Sequence, residues 1–281
     1  MMKKINEYIK EGLKITSKTR VNEKAYHPKD KDELRKLIEQ LLDERGEDAN
    51  LNDIDTSEIT DMLELFYGLD PHNIDISQWD VSNVKNMKYI FYRCYNFNSD
   101  LSKWDVSNVE DMYSMFDRCE NFNSDLSKWD VSNVNNMAWM FYECNIFNSD
   151  LSNWDVSKVI NMEGMFYFCS NFNSDLSNWD VSNVKNMKST FEECHNFNSD
   201  LSKWDVSNVT TMEWIFYNCK NFNSDLSNWN VSNVKNMKHM FYKCMKFNSD
   251  LSKWDVSNVE DMTNMFSASP LEKNPPKWYK N

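Results

Sequence analysis

One sequence motif recurs at a fixed spacing along most of the chain, and this repeat constrains the fold more than any other feature. One copy reads FNSDLSKWDVSNVEDMYSMFDRCEN and covers residues 97–121. A fixed period of this length is typical of stacked supersecondary units that bury their apolar faces against one another, not of one globular core. Tryptophans mark eight successive copies: Trp79, Trp104, Trp129, Trp154, Trp179, Trp204, Trp229 and Trp254.

The composition excludes several classes of protein. Apolar residues make up 41% of the chain and aromatic residues 14%, which is too rich for a disordered chain. The formal net charge of −13 repels phosphate backbones, so we expect no nucleic-acid partner. No apolar stretch is long enough to span a membrane, and the charged start does not have the pattern of a signal peptide. As sequenced, the chain is therefore expected to be cytoplasmic.

The apolar residues within one copy follow two different patterns. From Val109 to Cys119 they are spaced as on one face of a short helix, for which Ser107 would be the N-cap. From Phe97 to Val106 the pattern is mostly extended and predicts a short strand and a turn. One strand and one helix per repeat predict an α/β, leucine-rich-repeat-like solenoid of about nine 25-residue coils, with the strands paired in parallel.

The N-terminal part differs from the repeats. Apolar residues at helical spacing predict one helix over residues 3–16 and a second over residues 31–45. Asp30 is the predicted N-cap of the second helix, and Gly46 is its predicted C-terminal stop. We interpret residues 1–50 as a helical N-terminal segment that caps the first coil.

The C-terminal part is a proline-rich segment, residues 270–281, that follows the repeat solenoid of residues 51–269. Proline removes backbone donors and blunts the open edge of a sheet. We expect Trp278 and Tyr279 to pack back over the last coil. Trp254, as the last tryptophan of the repeats, is expected to have fewer neighbours than Trp154.

The repeat consensus, L-S-x-W-D-V-S-N-V-x-x-M-x-x-M-F-x-x-C-x-x-F-N, resembles that of the BspA-type leucine-rich-repeat surface proteins. The same repeat is found in mycoplasma-type surface lipoproteins. The resemblance covers roughly residues 51–270. It implies an α/β solenoid that binds host or partner proteins, with the cell surface as the alternative location. Similar repeats also occur in phage-encoded proteins.

Several columns of chemically interesting residues are interpreted as structural. The seven cysteines recur once per coil from Cys94 to Cys244 and are expected to be reduced and buried; disulfides or metal binding are the alternatives. Two aspartate columns, to which Asp100 and Asp105 belong, are expected to form Asx turns, because Asn230 replaces an aspartate in the second column. Paired catalytic carboxylates or a cation ladder are the alternatives.

The remaining residues give no sign of catalysis. We interpret the column of methionines as part of the hydrophobic core; a row of sulfur ligands for a soft metal ion is the alternative. The histidines share no metal-ligand spacing, and no phosphate-binding loop or nucleophile motif occurs. We therefore expect no enzymatic activity, no cofactor and no metal.

The columns that vary between copies indicate where a partner binds, since exposed aromatic residues are common anchors of interfaces. Relaxed constraint at exposed positions is the alternative. The candidate binding residues lie on the predicted variable helix face: Tyr89, Tyr113, Trp139, Glu163, Trp214 and His239.

The sequence as a whole predicts a non-enzymatic protein-binding or scaffolding module with a protein or glycan partner. The resemblance to surface proteins favours an adhesin-like role. A structural component of a larger assembly, for example a phage-encoded one, is the alternative function.

Overall fold

The computed structural model describes residues 24–280, and two helices are found in this range. Helix α1 is Lys31–Arg45, and a 3₁₀ helix spans Pro270–Glu272. The part between them consists of turns and of single-residue parallel bridges. The helix predicted over residues 3–16 lies outside the described residues.

Residues one repeat apart lie side by side in adjacent coils. Alternate backbone N–H groups donate to a carbonyl of the next coil, as Met87 does to Asp111 (3.1 Å) and Tyr89 to Tyr113 (3.0 Å). The N–H groups between them donate three residues back within their own coil, as Ile90 does to Met87 (3.3 Å). We call this pattern the turn ladder. It contains the parallel bridges Asp61↔Asn86, Asn86↔Asp111, Asp111↔Asn136, Asn136↔Asn161, Asn161↔Asn186, Asn186↔Thr211, Thr211↔Asn236 and Asn236↔Asp261.

The short helix predicted between Ser107 and Cys119 is not present, and its counterparts in the other described coils are turns as well. An α-helix needs each N–H group to reach the carbonyl four residues back, whereas here every second one donates to the next coil. Ser114 and Arg118 have φ of 50° and 63°, which a right-handed helix does not allow. A positive φ at the third residue of a four-residue turn is typical of type II turns. Ser107 therefore caps no helix. The strand predicted over residues 97–106 is also wrong, because that stretch contains no bridge; the bridge of this coil is at Asp111, in the segment predicted to be helical.

The tryptophan column lies in a core that runs through all the stacked coils. Trp154 is 3% exposed, and its indole Nε1 donates to the Leu126 carbonyl of the preceding coil at 3.0 Å. Its ring stacks on Trp129 and Trp179, with centroids 6.4 and 6.5 Å away and nearly parallel planes. Each tryptophan thus joins two coils through both a hydrogen bond and ring packing.

The cysteine and aspartate columns have the structural roles that the sequence predicted. Cys119 is fully buried, and its Sγ lies 3.0 Å from the Phe91 carbonyl oxygen that accepts its S–H. The other cysteines are free and buried as well. In the turns, Asp105 Oδ1 accepts from the Ser107 N–H at 3.1 Å, and Asn230 Oδ1 accepts from Ser232 at 3.2 Å. An amide therefore replaces the carboxylate in the same Asx turn.

Helix α1 begins and ends as predicted. The Asp30 side chain accepts from the Glu33 N–H at 2.9 Å, and Gly46 follows the last turn with φ 88°. Leu34, Ile38 and Leu41 are fully buried and join the core of the repeats.

The other end of the stack is covered by Trp278, as the sequence predicted. Its ring stacks on Trp254 at 6.3 Å, and its Nε1 donates to the Leu251 carbonyl at 2.8 Å. Trp254 therefore has ring neighbours on both sides, since it also stacks on Trp229. The expectation that Trp254 has fewer neighbours than Trp154 is wrong for its aromatic contacts, because Trp278 continues the column beyond it.

Stacked rings of adjacent coils are closer together in the tyrosine column, next to the turn ladder, than in the tryptophan column. Between one pair of coils, the centroid separation is 4.7 Å for Tyr142 and Tyr167, next to the turn ladder. It is 5.6 Å for the phenylalanines Phe141 and Phe166, and 6.5 Å for the tryptophans Trp154 and Trp179. We infer that the stack curves, with the tyrosines on its inner side.

Replacing a tryptophan in the middle of the column should destabilise the protein more than replacing its last member. Trp154→Ala should lower the free energy of unfolding by ~3–5 kcal/mol, because it removes a buried ring that contacts two coils. Trp278→Ala should cost less, because this half-buried ring has a column neighbour on one side. Denaturant unfolding of the full chain measures both losses, and equal losses would contradict this account.

The cysteines should be unreactive in the folded protein. Burial raises the pKa of the Cys119 and Cys144 thiols well above the ordinary value, and the thiolate is the reactive form. Titration with a thiol reagent should therefore be slow in buffer and count all seven cysteines in denaturant. A stable disulfide in the purified protein would overturn the assignment.

Candidate functional site

A column of tyrosines follows the buried phenylalanines along the inner side of the stack. Its members stack in pairs, with ring centroids 4.7 Å apart for Tyr142 and Tyr167 and 4.9 Å apart for Tyr217 and Tyr242. An acidic residue or a serine interrupts the column at every third coil. In chain order it reads Tyr67, Tyr92, Asp117, Tyr142, Tyr167, Glu192, Tyr217, Tyr242 and Ser267.

Four of the predicted binding residues occupy left-handed turn positions instead of a helix face. Tyr89, Trp139, Trp214 and His239 have φ of 56°, 59°, 59° and 55°. All four side chains are half-buried. Left-handed backbone is uncommon for bulky residues, and the backbone hydrogen bonds to both neighbouring coils hold it in place here.

Three predicted residues, Tyr89, Tyr113 and Trp139, come together at one surface cavity of about 350 Å³. Tyr89 meets Tyr113 edge to face at 5.2 Å. Trp139 lies over Gly164 of the next coil, where a Cβ atom would come within 2.1 Å of Trp139 Cε3. A glycine at this position therefore makes room for the indole. The other lining residues are Tyr92, Ser114, Asp117, Arg118 and Tyr142.

Asp117 forms the first break in the tyrosine column and lines this cavity. Its Oδ1 atom is buried and has no hydrogen-bond partner among the described residues. Burial raises the pKa of Asp117 to about 7, and the Glu143 carboxylate adds to this effect, while Ser114, Arg118 and Arg93 oppose it.

Two arginines lie over the tyrosines on either side of the first break. The Arg93 guanidinium is 5.1 Å from the Tyr92 ring centroid, and that of Arg118 is 5.6 Å from the Tyr142 centroid. Arg118 Nε also lies 3.1 Å from a Glu143 oxygen. Cation–π contacts of this kind are stabilising, most strongly where water is excluded. The first break thus contains cationic groups supplied by the chain itself.

The other three predicted residues, Glu163, Trp214 and His239, form a second group. Lys188 joins two of them: its Nζ lies 3.9 Å from a Glu163 oxygen and 5.6 Å from the Trp214 ring centroid. The Trp214 and His239 rings are 6.1 Å apart. The six residues therefore divide between two places along the inner side of the stack.

Glu192 forms the second break, beside this second group. It is 8% exposed, and its Oε2 atom is buried without a hydrogen-bond partner in the described structure. Burial raises the pKa of Glu192 to about 7, helped by the carboxylates of Glu193 and Glu213 and opposed by Ser189 and Lys188. Acidic neighbours thus outnumber basic ones at this break.

A family model described as "Mycoplasma protein of unknown function, DUF285" matches three overlapping segments, residues 35–150, 125–219 and 168–278. These matches cover most of the chain and place it among repeat proteins. The chain belongs to the DUF285 family. No curated protein and no solved structure matches it.

The described part of this DUF285 protein contains neither a metal-binding cluster nor a membrane-spanning helix. No group of three or more His, Cys, Asp or Glu in residues 24–280 is arranged to hold a metal ion. No helix in the same range has the length and apolar character needed to cross a membrane.

Asp117 and Glu192 were not among the binding residues predicted from the sequence, although the DUF285 repeat contains a signal for them. Both replace a tyrosine directly after the repeated phenylalanine, and they lie three copies of the repeat apart. Ser114 and Ser189 precede them by three residues, so the exchange recurs as a pair. Comparing every third copy of the repeat would have revealed this longer period.

Asp117 should make stability depend on pH. Because burial raises its folded-state pKa above the ordinary 3.8, the folded protein retains a proton that the unfolded chain loses between about pH 4 and 7. Stability should therefore fall as pH rises through this window, and Glu192 acts in the same direction. Asp117→Asn should raise the unfolding free energy at pH 8 by on the order of 1–3 kcal/mol and change it little at pH 4.

Asp105→Asn is the matched control for this measurement. Hydrogen bonds from Ser107 lower the pKa of Asp105, so its titration affects the free energy of unfolding mainly below the pH range that is measured. In addition, Asn230 already forms the same Asx turn in another coil. Denaturant unfolding at pH 4, 5, 6, 7 and 8 compares the two variants. If the free energy of unfolding of Asp117→Asn depends on pH as that of the wild type does, the raised pKa of Asp117 is wrong.

Proposed function

We propose that this DUF285 protein is a non-enzymatic binding module, built as a curved solenoid, that recognises a partner protein with the inner side of its turn ladder. The observation that supports this most directly is where the variation lies. The core columns of tryptophan, phenylalanine and cysteine repeat almost unchanged, whereas the half-buried residues beside the ladder differ between coils. A partner can be distinguished only by the residues that differ.

The size of the two groups fits one protein interface. Asp117 and Glu192 are three coils apart, so roughly 14 Å separates them at the spacing of paired backbones. A patch of ~800 Å² on each partner is usual for a stable complex and would cover both. The aromatic residues Tyr113, Trp139 and Trp214 are of the types that dominate interface energetics.

The resemblance to BspA-type surface proteins supports the same class of function, since those proteins bind host or partner proteins. An adhesin-like role at a cell surface is the more specific form of the proposal. A structural role in a larger assembly remains the alternative, and it predicts that the purified chain associates with itself.

Binding by variants tests the proposed surface. A partner captured by the immobilised full chain would be purified and its affinity measured for the wild type, Trp139→Ala and Trp214→Ala. Each change should weaken binding by ~2 kcal/mol or more, as truncation of an aromatic anchor does. A thermal melt of each variant checks that the half-buried rings are not required for folding.

Lys103→Ala, Lys128→Ala and Lys203→Ala are the matched controls. These exposed lysines precede tryptophans of the column that lies on the wider-spaced side of the stack. They should leave affinity unchanged. If the lysine variants abolish binding while the tryptophan variants retain it, recognition occurs on the outer side and the proposed surface is wrong.

A further inference from the structure

The two acidic breaks in the tyrosine column, at Asp117 and Glu192, are related by a shift of three coils, and their neighbouring residues differ. At both breaks, an acidic residue with one buried, unpartnered oxygen stands between two tyrosines, and a serine lies three residues before it. At the first break the residues after the first tyrosine and after the acid are Arg93 and Arg118; at the second they are Phe168 and Glu193.

Aromatic rings flank the acidic residue of the second break. Tyr167 and Tyr217 lie two coils apart, so roughly 9–10 Å separates their rings, and Glu192 stands between them. A planar group in contact with rings on both faces needs about 7 Å. Phe168 lies beside Tyr167 with ring centroids 5.0 Å apart, in the place where Arg93 lies over Tyr92 at 5.1 Å. At the second break the Phe168 ring thus takes the place that the Arg93 guanidinium has at the first.

The charges at the second break also differ from those at the first. Arg93 and Arg118 act on Asp117 together with one further carboxylate, that of Glu143. Glu192 has two further carboxylates nearby, Glu193 and Glu213, and one lysine.

The one lysine at the second break is already engaged by other groups. Lys188 Nζ lies 3.8 Å from a Glu213 oxygen and 3.9 Å from a Glu163 oxygen. Glu193 accepts from Asn218 Nδ2 at 2.6 Å and lies 3.0 Å from His195 Nε2. Glu192 is therefore the carboxylate whose buried oxygen has no partner.

We infer that the second break, formed by Tyr167, Phe168, Glu192, Glu193 and Tyr217, binds the guanidinium group of an arginine side chain from the partner protein. This inference rests on the proposed function and specifies the partner as a basic segment. Guanidinium is planar, stacks on aromatic faces and pairs with carboxylates in a fixed geometry. The chain has a net charge of −13, which favours a basic partner.

Short peptides test this site on the full chain. Ac-Gly-Arg-Gly-amide, titrated by calorimetry or NMR at low ionic strength and pH 8, above the pKa of about 7 that burial gives Glu192, should bind with a stoichiometry of one. The citrulline counterpart has nearly the same shape but no charge and should bind at least tenfold more weakly. Equal binding of the two peptides, or no binding of the arginine peptide, would overturn the inference.

Variants assign the binding to the second break. Glu192→Gln should weaken binding of the arginine peptide at least tenfold. Asp105→Asn, which changes an Asx-turn carboxylate outside the proposed binding surface, should leave it within twofold. Glu193→Arg places a cation where the first break has Arg118 and should abolish binding. Glu192→Tyr restores the residue found in most copies of the column, so it is a second loss variant that is compatible with the fold. Unchanged affinity in these three Glu192 and Glu193 variants would overturn the assignment.

The reverse exchange supplies a gain of function. Arg93→Phe, Asp117→Glu and Arg118→Glu together give the first break the residues of the second, Phe168, Glu192 and Glu193, and the stoichiometry should rise from one to two. If the peptides fail to bind while the purified partner still depends on Trp139 and Trp214, the arginine site is wrong and the proposed binding surface stands. If partner binding is insensitive to those tryptophans but the peptides bind as described, the arginine site stands and the proposed binding surface is wrong.

Discussion

The fold depends on the backbone hydrogen bonds that join each coil to the next. Because alternate N–H groups donate to a carbonyl of the following coil, each coil satisfies its polar backbone only in the presence of its neighbour. Within the turn ladder, the N–H groups between them close turns inside their own coil. The tryptophan indoles add a second set of bonds between coils, from inside the core. Such a structure grows by addition, and its ends need covers, which α1 and Trp278 provide.

The same ladder creates the candidate site. The turns place residues such as Trp139 and Trp214 in left-handed backbone, half-buried beside the tyrosine column. The closer spacing of coils at this column lets tyrosines stack, and each replacement by an acid leaves a carboxylate between aromatic rings. The two breaks therefore follow from substitutions in a single column, with little change to the scaffold around them.

Most of the core could be predicted from the repeat, because a residue that recurs in every copy must occupy an equivalent environment in each. The burial of Cys119 and the Asx turn of Asp105 were predicted in this way. The closure of the stack by Trp278 was predicted from the C-terminal segment that follows the repeats. The conformation between Ser107 and Cys119 could not be, because apolar residues three and four apart fit a helix and a succession of turns equally well. Backbone hydrogen bonds to the next coil, not the helix propensity of single residues, determine the conformation of this segment.

The sequence by itself determined the period, the columns that form the core, the caps of α1 and the positions that vary. Only the tertiary structure decided which variable positions meet, since contacts between coils join residues that are a full repeat apart in the chain. Tyr89, Tyr113 and Trp139 meet around Asp117 because the stacked backbones lie about 5 Å apart. For the same reason Glu192 lies between Tyr167 and Tyr217. The chemistry of the two breaks thus arises from side chains that only the register of the stack brings together.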